Sequence, residues 1–168
     1  LLGIGDETAE LLADPGGAEL RRPIDAPDLA RRLGVASMHL LPCDGGPSGT
    51  FKDAEAAVVI ARQLERHGRA ERVVFASSGN TARAYRGYAL RAGIASSACV
   101  PATGLEKLRG LGPDKRSELV VVDGDVLDAA AVAARRGAAA GSRLIAPTDW
   151  RLAGKAAIAY AIAEHVPE

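Results

Sequence analysis

Residues 73–81 read Val73-Val74-Phe75-Ala76-Ser77-Ser78-Gly79-Asn80-Thr81, an apolar run that passes directly into a polar turn. Four consecutive apolar residues are typical of a strand that is buried on both faces of a parallel sheet. A helical pattern follows over residues 81–92 and stops at Gly93. This stretch therefore predicts a strand, a turn and a helix in direct succession.

Short apolar runs alternate with helical patterns along the rest of the chain. We predict further strands at 94–100, 119–122 and 143–146, long helices at 51–67, 126–140 and 152–165, and short helices at 6–13, 27–33 and 106–109. This alternation predicts an α/β fold, a three-layer open and mostly parallel sheet with helices on both faces. Ligands of such sheets bind beyond the carboxyl ends of the strands, which directs attention to the loops after Ala76, Val100 and Val122.

Composition excludes several classes of protein. Hydrophobic residues make up 48% of the 168 residues and charged residues 25%, values that exclude a disordered chain. Lys plus Arg equals 21 and Asp plus Glu equals 21, so the basic excess of a nucleic-acid-binding domain is missing. We expect no membrane segment, because no apolar run approaches the roughly 20 residues that span a bilayer. Two scattered cysteines and three histidines without ligand spacing predict no metal site and a reducing, cytoplasmic location.

Lys52 is the first candidate for chemistry. If Thr50 caps the helix, Asp53 completes a Thr-x-x-acid capping box and Lys52 falls in the first turn. The helix dipole disfavours a cation there, which favours the neutral amine that attacks a carbonyl group. The alternative is a solvated lysine at a helix start, which from spacing alone is the commoner case.

The turn over residues 77–81 is the second candidate. Gly79 permits a tight turn, and the backbone N–H groups of the following helix start would face an anion. The hydroxyl groups of Ser77, Ser78 and Thr81 add donors suited to a carboxylate or phosphate. The alternative, equally supported by the residues, is plain helix capping by Ser78 or Asn80 without any ligand.

Together, the segments that contain these two candidates resemble the motifs of a known enzyme family. Pro47-Ser48-Gly49-Thr50-Phe51-Lys52-Asp53 resembles the lysine motif of fold-type II pyridoxal-phosphate enzymes, the tryptophan synthase β family, and most closely the Pro-Thr-Gly-Ser-Phe-Lys-Asp form of threonine synthases. Residues 76–82 are similar to that family's Ser/Thr-Gly-Asn-Thr loop. Residues 147–155 resemble its Arg-Leu-x-Gly-x segment, which opens a helix. The resemblance extends from about Pro42 to the end of the chain.

The resemblance implies a role for each matching residue. Lys52 would form the internal aldimine with pyridoxal 5'-phosphate and then move protons at the substrate carbons. Asn80 would donate to the ring hydroxyl oxygen of the cofactor. The substrate carboxylate would be held by Ser77, Ser78, Gly79 and Thr81. The implied function is that of a threonine synthase-like lyase or replacement enzyme acting on a small amino acid, and a homodimer is one expectation for the full-length protein.

Departures from the family pattern keep other functions open. Gly46 stands where threonine synthases usually have Asn, and Ala54 replaces the common Arg after Lys-Asp. The alternatives are a cysteate synthase-like or other β-replacement enzyme, and a non-catalytic anion-binding half of a split or decayed enzyme. A nucleotide- or sugar-phosphate-binding module comes last, since no Gly-x-Gly-x-x-Gly or P-loop follows a predicted strand.

The domain organisation predicted from these motifs is that of a partial enzyme. Family members have a glycine-rich phosphate loop and a Ser or Thr at the pyridine nitrogen further downstream, and neither follows Ala146. We therefore expect the lysine-bearing part of a larger enzyme, truncated or split, and inactive alone. Its parts would be an N-terminal segment at 1–45, an α/β core at 46–147, and a helix at 148–168 that leads into a missing larger domain.

Overall fold

The computed structural model describes residues 22–146 and 149–165. The predicted helix at 6–13 and the first two residues of the 147–155 segment lie outside the described residues. Within the described ranges, no helix combines the length and the apolar character that crossing a membrane requires.

Twelve elements follow one another in these ranges. In chain order they are β1 (Ile24–Asp25), α1 (Pro27–Leu33), β2 (His39–Leu40), α2 (Lys52–His67), β3 (Arg72–Ala76), α3 (Asn80–Arg91), β4 (Ala95–Pro101), a 3-10 helix (Ala102–Leu108), β5 (Ser117–Val122), α4 (Val126–Gly137), β6 (Ser142–Leu144) and α5 (Asp149–His165).

The main sheet has four strands in the order β5-β4-β3-β6, and every neighbouring pair is parallel. At its centre, Val74 of β3 is in register with Ser97 of β4 on one side and with Leu144 of β6 on the other. The fully apolar β3 thus occupies an interior position, as its composition predicts. The predicted parallel sheet is confirmed.

Helices cover both faces of the sheet. Val73 and Phe75 of β3 face a core that includes residues of α2 and α3. Val74 points the opposite way and packs with Ala129 and Ala133 of α4. This alternation along one strand follows from the period of two of a β-strand. The predicted three-layer arrangement is therefore confirmed, and α2 and α3 share one face.

Several predicted boundaries differ from the structure. The Ala-rich helix α4 ends at Gly137, before the predicted end at residue 140, and glycine is a poor helix former. Gly137 also lies close to β6, since a Cβ atom there would be 2.7 Å from the Cβ of Leu144. The short helix predicted at 106–109 is a 3-10 helix over Ala102–Leu108. The antiparallel pair β1–β2 was not predicted, since two-residue strands carry no periodicity.

Helix α5 packs directly against α2 through Gly154. A Cβ atom at residue 154 would lie 2.7 Å from the Cα of Glu55 and 3.0 Å from the carbonyl oxygen of Ala54. Both atoms belong to the backbone of α2, which cannot move aside as a flexible side chain can. The Arg-Leu-x-Gly pattern thus has a steric basis here: the glycine lets two helix backbones approach each other.

We predict that Gly154→Ala destabilises the chain. Overpacking of this kind costs about 1–3 kcal/mol, of which about 1 kcal/mol is returned by the better helix propensity of alanine. Urea unfolding monitored by circular dichroism measures the difference. Gly112→Ala is the control, because a Cβ atom there meets nothing within 4 Å. A Gly154→Ala variant that is more stable than the wild type would contradict close packing of α5 on α2.

Candidate active site

The loop before α2 is held by the buried carboxylate of Asp53. Its Oδ2 atom accepts hydrogen bonds from the backbone N–H of Ser48 at 3.1 Å, from Ser48 Oγ at 2.8 Å and from the backbone N–H of Thr50 at 3.4 Å. Thr50 Oγ1 accepts from the backbone N–H of Lys52 at 3.2 Å. Asp53 therefore bonds back to Thr50 as predicted, but the prediction that Thr50 caps the helix is wrong, because α2 begins at Lys52 with Phe51 at the N-cap position and no side-chain capping bond.

Gly46 completes this loop by close contact with Asp53. A Cβ atom at residue 46 would lie 2.5 Å from Asp53 Oδ2, so any larger residue would displace the carboxylate. The next residue, Pro47, lies near Gly87 of α3, where an added Cβ atom would be 3.8 Å from the Cβ of Pro47. The loop that precedes Lys52 thus rests on α3.

The Lys52 amine is engaged by protein groups. Its Nζ atom lies 3.2 Å from Glu55 Oε2 and 4.7 Å from the ring centroid of Phe51. The side chain is 19% exposed. Lys52 is therefore not the freely solvated lysine that the alternative interpretation supposed.

Glu55 is the centre of this arrangement, and its side chain is 1% exposed. It accepts a hydrogen bond from the Tyr85 hydroxyl of α3 at 3.1 Å and one from Arg151 Nε of α5 at 2.5 Å. Lys155 Nζ lies 3.7 Å from the same carboxylate. Three cations thus surround one anion, which leaves an excess of positive charge. Sequence reasoning missed Glu55, although the spacing of three residues after Lys52 is a known signal for an ion pair.

The titration of this cluster follows from its contacts. Burial acts to raise the pKa of the Glu55 carboxyl, but the hydrogen bond and charge of Arg151, together with those of Lys52, bring that pKa below its ordinary value of 4.5. Burial and then the charge of Glu55 raise the pKa of Tyr85 far above its ordinary value. The tyrosine hydroxyl therefore stays protonated and donates to the carboxylate.

The Ser-Gly-Asn turn lies at the carboxyl end of β3, where α3 begins. Ser77 is buried, and its Oγ atom accepts from the backbone N–H groups of Gly79 at 3.1 Å and Ala82 at 3.0 Å. Ser77 therefore caps α3. The alternative interpretation of the sequence, in which Ser78 or Asn80 caps this helix, is wrong in its choice of residue. Gly79 has φ 158° and ψ −106°, and the side chain of Lys107 covers it so closely that a Cβ atom would lie 2.6 Å from Lys107 Cδ.

The remaining polar side chains of this turn are available to a ligand. Ser78 and Asn80 are exposed, and Thr81 is partly exposed. None of their side chains has a hydrogen-bond partner within residues 22–146 and 149–165. The first backbone N–H groups of α3 also have no partner inside the helix, and the positive end of the helix dipole lies there. This helix start can hold an anion.

Contacts connect Lys52 with α3 on one face of the sheet. Glu55 joins the Lys52 amine to Tyr85, which lies five residues after Asn80. Five residues correspond to roughly 7.5 Å along an α-helix. The lysine and the Ser-Gly-Asn turn, predicted to act together, thus belong to two helices joined by a single carboxylate.

A second charged cluster lies at the opposite end of the strands. Glu118 Oε2 lies 3.2 Å from Arg72 Nη1 and 2.5 Å from Arg136 Nη2. Because Arg72 and Ser117 begin their strands, this cluster is at the amino ends, away from the edge where open α/β sheets bind ligands. Among the described residues, no group of three or more His, Cys, Asp or Glu side chains is placed to hold a metal ion.

We predict that Ser77→Ala destabilises the chain by about 1–3 kcal/mol, because the backbone N–H of Gly79 loses its acceptor inside the protein. Ser78→Ala, one residue further on, should change stability by no more than about 0.5 kcal/mol, since its side chain is exposed. Thermal and urea unfolding of both variants provide the measurement. A Ser78→Ala variant that is less stable than Ser77→Ala would refute the assignment of the cap to Ser77.

We also predict a pH dependence of stability that Glu55 causes. Because its pKa is lowered on folding, the stabilising contribution of Glu55 is fully present above its ordinary pKa of 4.5 and is lost as the pH falls through the lowered value. The difference in unfolding free energy between the wild type and Glu55→Gln should therefore shrink below that pH. Glu65→Gln removes a carboxylate from another ion pair of α2 and is the control. A difference that persists into strong acid would contradict the prediction.

The sequence is similar to those of known proteins. Residues 16–168 match the family model described as "Pyridoxal-phosphate dependent enzyme". A threonine synthase from Synechocystis sp. is 33% identical over 131 residues, which cover 76% of this chain and 33% of that protein. A cysteate synthase from Methanoregula boonei is 33% identical over 132 residues, which cover 74% of this chain and 30% of that protein.

Solved structures agree in fold. The apo form of Escherichia coli diaminopropionate ammonia lyase superimposes with a TM-score of 0.73 at 17% identity, over 96% of this chain and 53% of that protein. The chain thus spans about a third of the length of the two curated relatives and about half of that structure. These matches confirm the predicted family, its fold and pyridoxal 5'-phosphate as its cofactor. The chain belongs to the family of pyridoxal-phosphate dependent enzymes.

Proposed function

We propose that this chain is the lysine-bearing part of a pyridoxal-phosphate dependent lyase or replacement enzyme that acts on a small amino acid, in the manner of a threonine synthase. The observation that carries the proposal is the position of Lys52. Its amine lies at the start of α2, on the face of the sheet that also carries the Ser-Gly-Asn turn. A cytoplasmic location goes with such a metabolic role.

The residues present fit the cofactor. An aldehyde needs an amine that it can reach, and the Lys52 side chain is 19% exposed beside the buried Glu55. The excess of positive charge around Glu55 favours an anionic ligand such as a phosphorylated cofactor. In this proposal Lys52 holds the cofactor through its amine and moves protons at the substrate carbons.

The Ser-Gly-Asn turn would bind the polar atoms of cofactor and substrate. Asn80 has an amide that can donate to the ring hydroxyl oxygen of the cofactor. Ser78, Gly79 and Thr81 offer hydroxyl and backbone N–H donors to the substrate carboxylate at the positive end of α3. Ser77 acts on the same carboxylate by fixing the turn, because its own oxygen is already bonded to backbone N–H groups.

When bound, pyridoxal phosphate supplies an electron sink that stabilises negative charge at the substrate carbons. The chain's own residues supply the rest. Lys52 holds or releases a proton at its Nζ atom, the turn fixes the carboxylate, and Phe51 lies beside the amine and limits its access to water.

The substrate is proposed at the level of chemistry. Threonine synthase and cysteate synthase relatives share about the same identity with this chain, so a replacement reaction on an amino acid with a leaving group fits both. The alternative is a non-catalytic half that keeps the anion site. Retention of Lys52 and Asn80 together favours the enzyme, because an anion site alone needs neither an amine nor that amide.

We predict that Lys52 is the residue that pyridoxal phosphate modifies. The chain is incubated with the cofactor, reduced with borohydride and digested, and mass spectrometry locates the label among the four lysines of the sequence. The label should concentrate at Lys52, and Lys52→Ala should lose the visible absorbance band of the bound cofactor.

Lys115→Ala is the matched control, since Lys115 lies by the cluster at the amino ends of the strands. Its band should equal that of the wild type. Equal labelling of all four lysines, or a normal band in Lys52→Ala, would reject Lys52 as the cofactor lysine.

A further inference from the structure

We propose that Glu55 is a positioning residue for Lys52, a buried carboxylate that holds the lysine amine at the cofactor site and releases it without itself losing its partners. This inference rests on the proposed function, since it assigns to Lys52 the role of the cofactor lysine. It adds a residue that neither the lysine motif nor the Ser-Gly-Asn turn contains.

Among the residues that the structure describes, Lys52 has one charged partner. Its Nζ atom lies 3.2 Å from Glu55 Oε2, one turn further along the same helix. The ring of Phe51 lies 4.7 Å from the amine. A lysine side chain loses much rotational freedom when it is held in this way. The amine is therefore already oriented before any ligand arrives.

Glu55 is fixed more firmly than Lys52 is. Its carboxylate also accepts hydrogen bonds from Arg151 Nε at 2.5 Å and from the Tyr85 hydroxyl at 3.1 Å, and Lys155 lies 3.7 Å away. A buried carboxylate that loses all its partners is strongly unfavourable. Here the departure of Lys52 leaves the contacts from α3 and α5 in place. The lysine can thus turn toward a ligand while the carboxylate stays paired.

A purely structural role would look different in experiment. If Glu55 only fastened α5 to α2, the loss of Glu55 and the loss of Arg151 would affect Lys52 in the same way. If Glu55 positions the lysine, the two losses have different effects. Removing Glu55 takes away the carboxylate that holds the Lys52 amine, whereas removing Arg151 leaves that carboxylate in contact with Lys52, Tyr85 and Lys155.

The test measures the reactivity of the Lys52 amine without any cofactor. The full chain is methylated with formaldehyde and cyanoborohydride at neutral pH, and mass spectrometry follows the rate at each lysine. In Glu55→Gln we expect Lys52 to react several-fold faster, because the amine loses the carboxylate that holds it at 3.2 Å and becomes more accessible to the reagent. Lys115 is the internal reference and should keep its rate.

Two further variants separate positioning from stability. Glu65→Gln removes the carboxylate of another pair of α2, Arg62–Glu65 at 3.0 Å, and should leave the Lys52 rate unchanged. Arg151→Gln should leave it unchanged or lower it. Glu55→Asp keeps the charge but shortens the reach, so Lys52 should react at a rate between those of the wild type and Glu55→Gln. Circular dichroism checks the folding of each variant.

The outcomes distinguish this inference from the proposed function. An unchanged Lys52 rate in folded Glu55→Gln, or equal acceleration in Arg151→Gln, overturns the inference. If Glu55→Gln does not fold, Glu55→Asp decides, and an unchanged Lys52 rate there overturns it. Cofactor labelling at Lys52 in the wild type is measured separately. If the cofactor labels another lysine instead, the proposed function is rejected. The role of Glu55 in positioning a cofactor lysine is then rejected as well, even when the methylation rates behave as expected.

Discussion

A carboxylate buried at the first turn of a helix must have its oxygen atoms paired, and this constraint organises the site around Glu55. Its partners come from three helices, Lys52 of α2, Tyr85 of α3 and Arg151 of α5. These helices must dock together before the charge is fully paired. Gly154 makes the docking possible, since α5 could not otherwise approach the backbone beside Glu55. The position of the lysine is therefore a property of the tertiary structure as much as of its own motif.

The sheet could be predicted from the sequence because its central strands are short, apolar and bounded by clear signals. Residues 73–76 are all apolar and are followed directly by a polar turn. The next strand, Ala95–Pro101, ends at a proline. Hydrophobic periodicity carries no such signal for β1 and β2, which have two residues each. It also cannot separate a 3-10 helix from a short α-helix, or locate the end of α4 at Gly137, because the alanines on both sides of that glycine favour a helix equally.

The candidate site was predictable where its residues are close in sequence. The lysine motif and the Ser-Gly-Asn turn are contiguous, so their chemistry can be recognised without a structure. The importance of Glu55 depends on its contacts with Tyr85 and Arg151, which are 30 and 96 residues away in the chain. No local spacing connects such residues. The choice of Ser77 as the capping residue likewise depends on burial, which distinguishes it from the exposed Ser78.

The two halves of the candidate site differ in how firmly they are built, and the difference suits covalent chemistry. The turn is shaped in advance, since Ser77 binds its backbone and Gly79 has no room for a side chain. An anion site gains from such rigidity, because little order has to be created on binding. Lys52 is held by an ion pair and one aromatic ring, contacts that can break without unfolding the helix. A group that must alternate between holding a cofactor and moving protons needs that freedom. Under the proposed function, the fold thus combines a rigid turn that binds the substrate carboxylate with a lysine amine that can move. Glu55 connects the two, because it contacts both Lys52 and Tyr85 of α3.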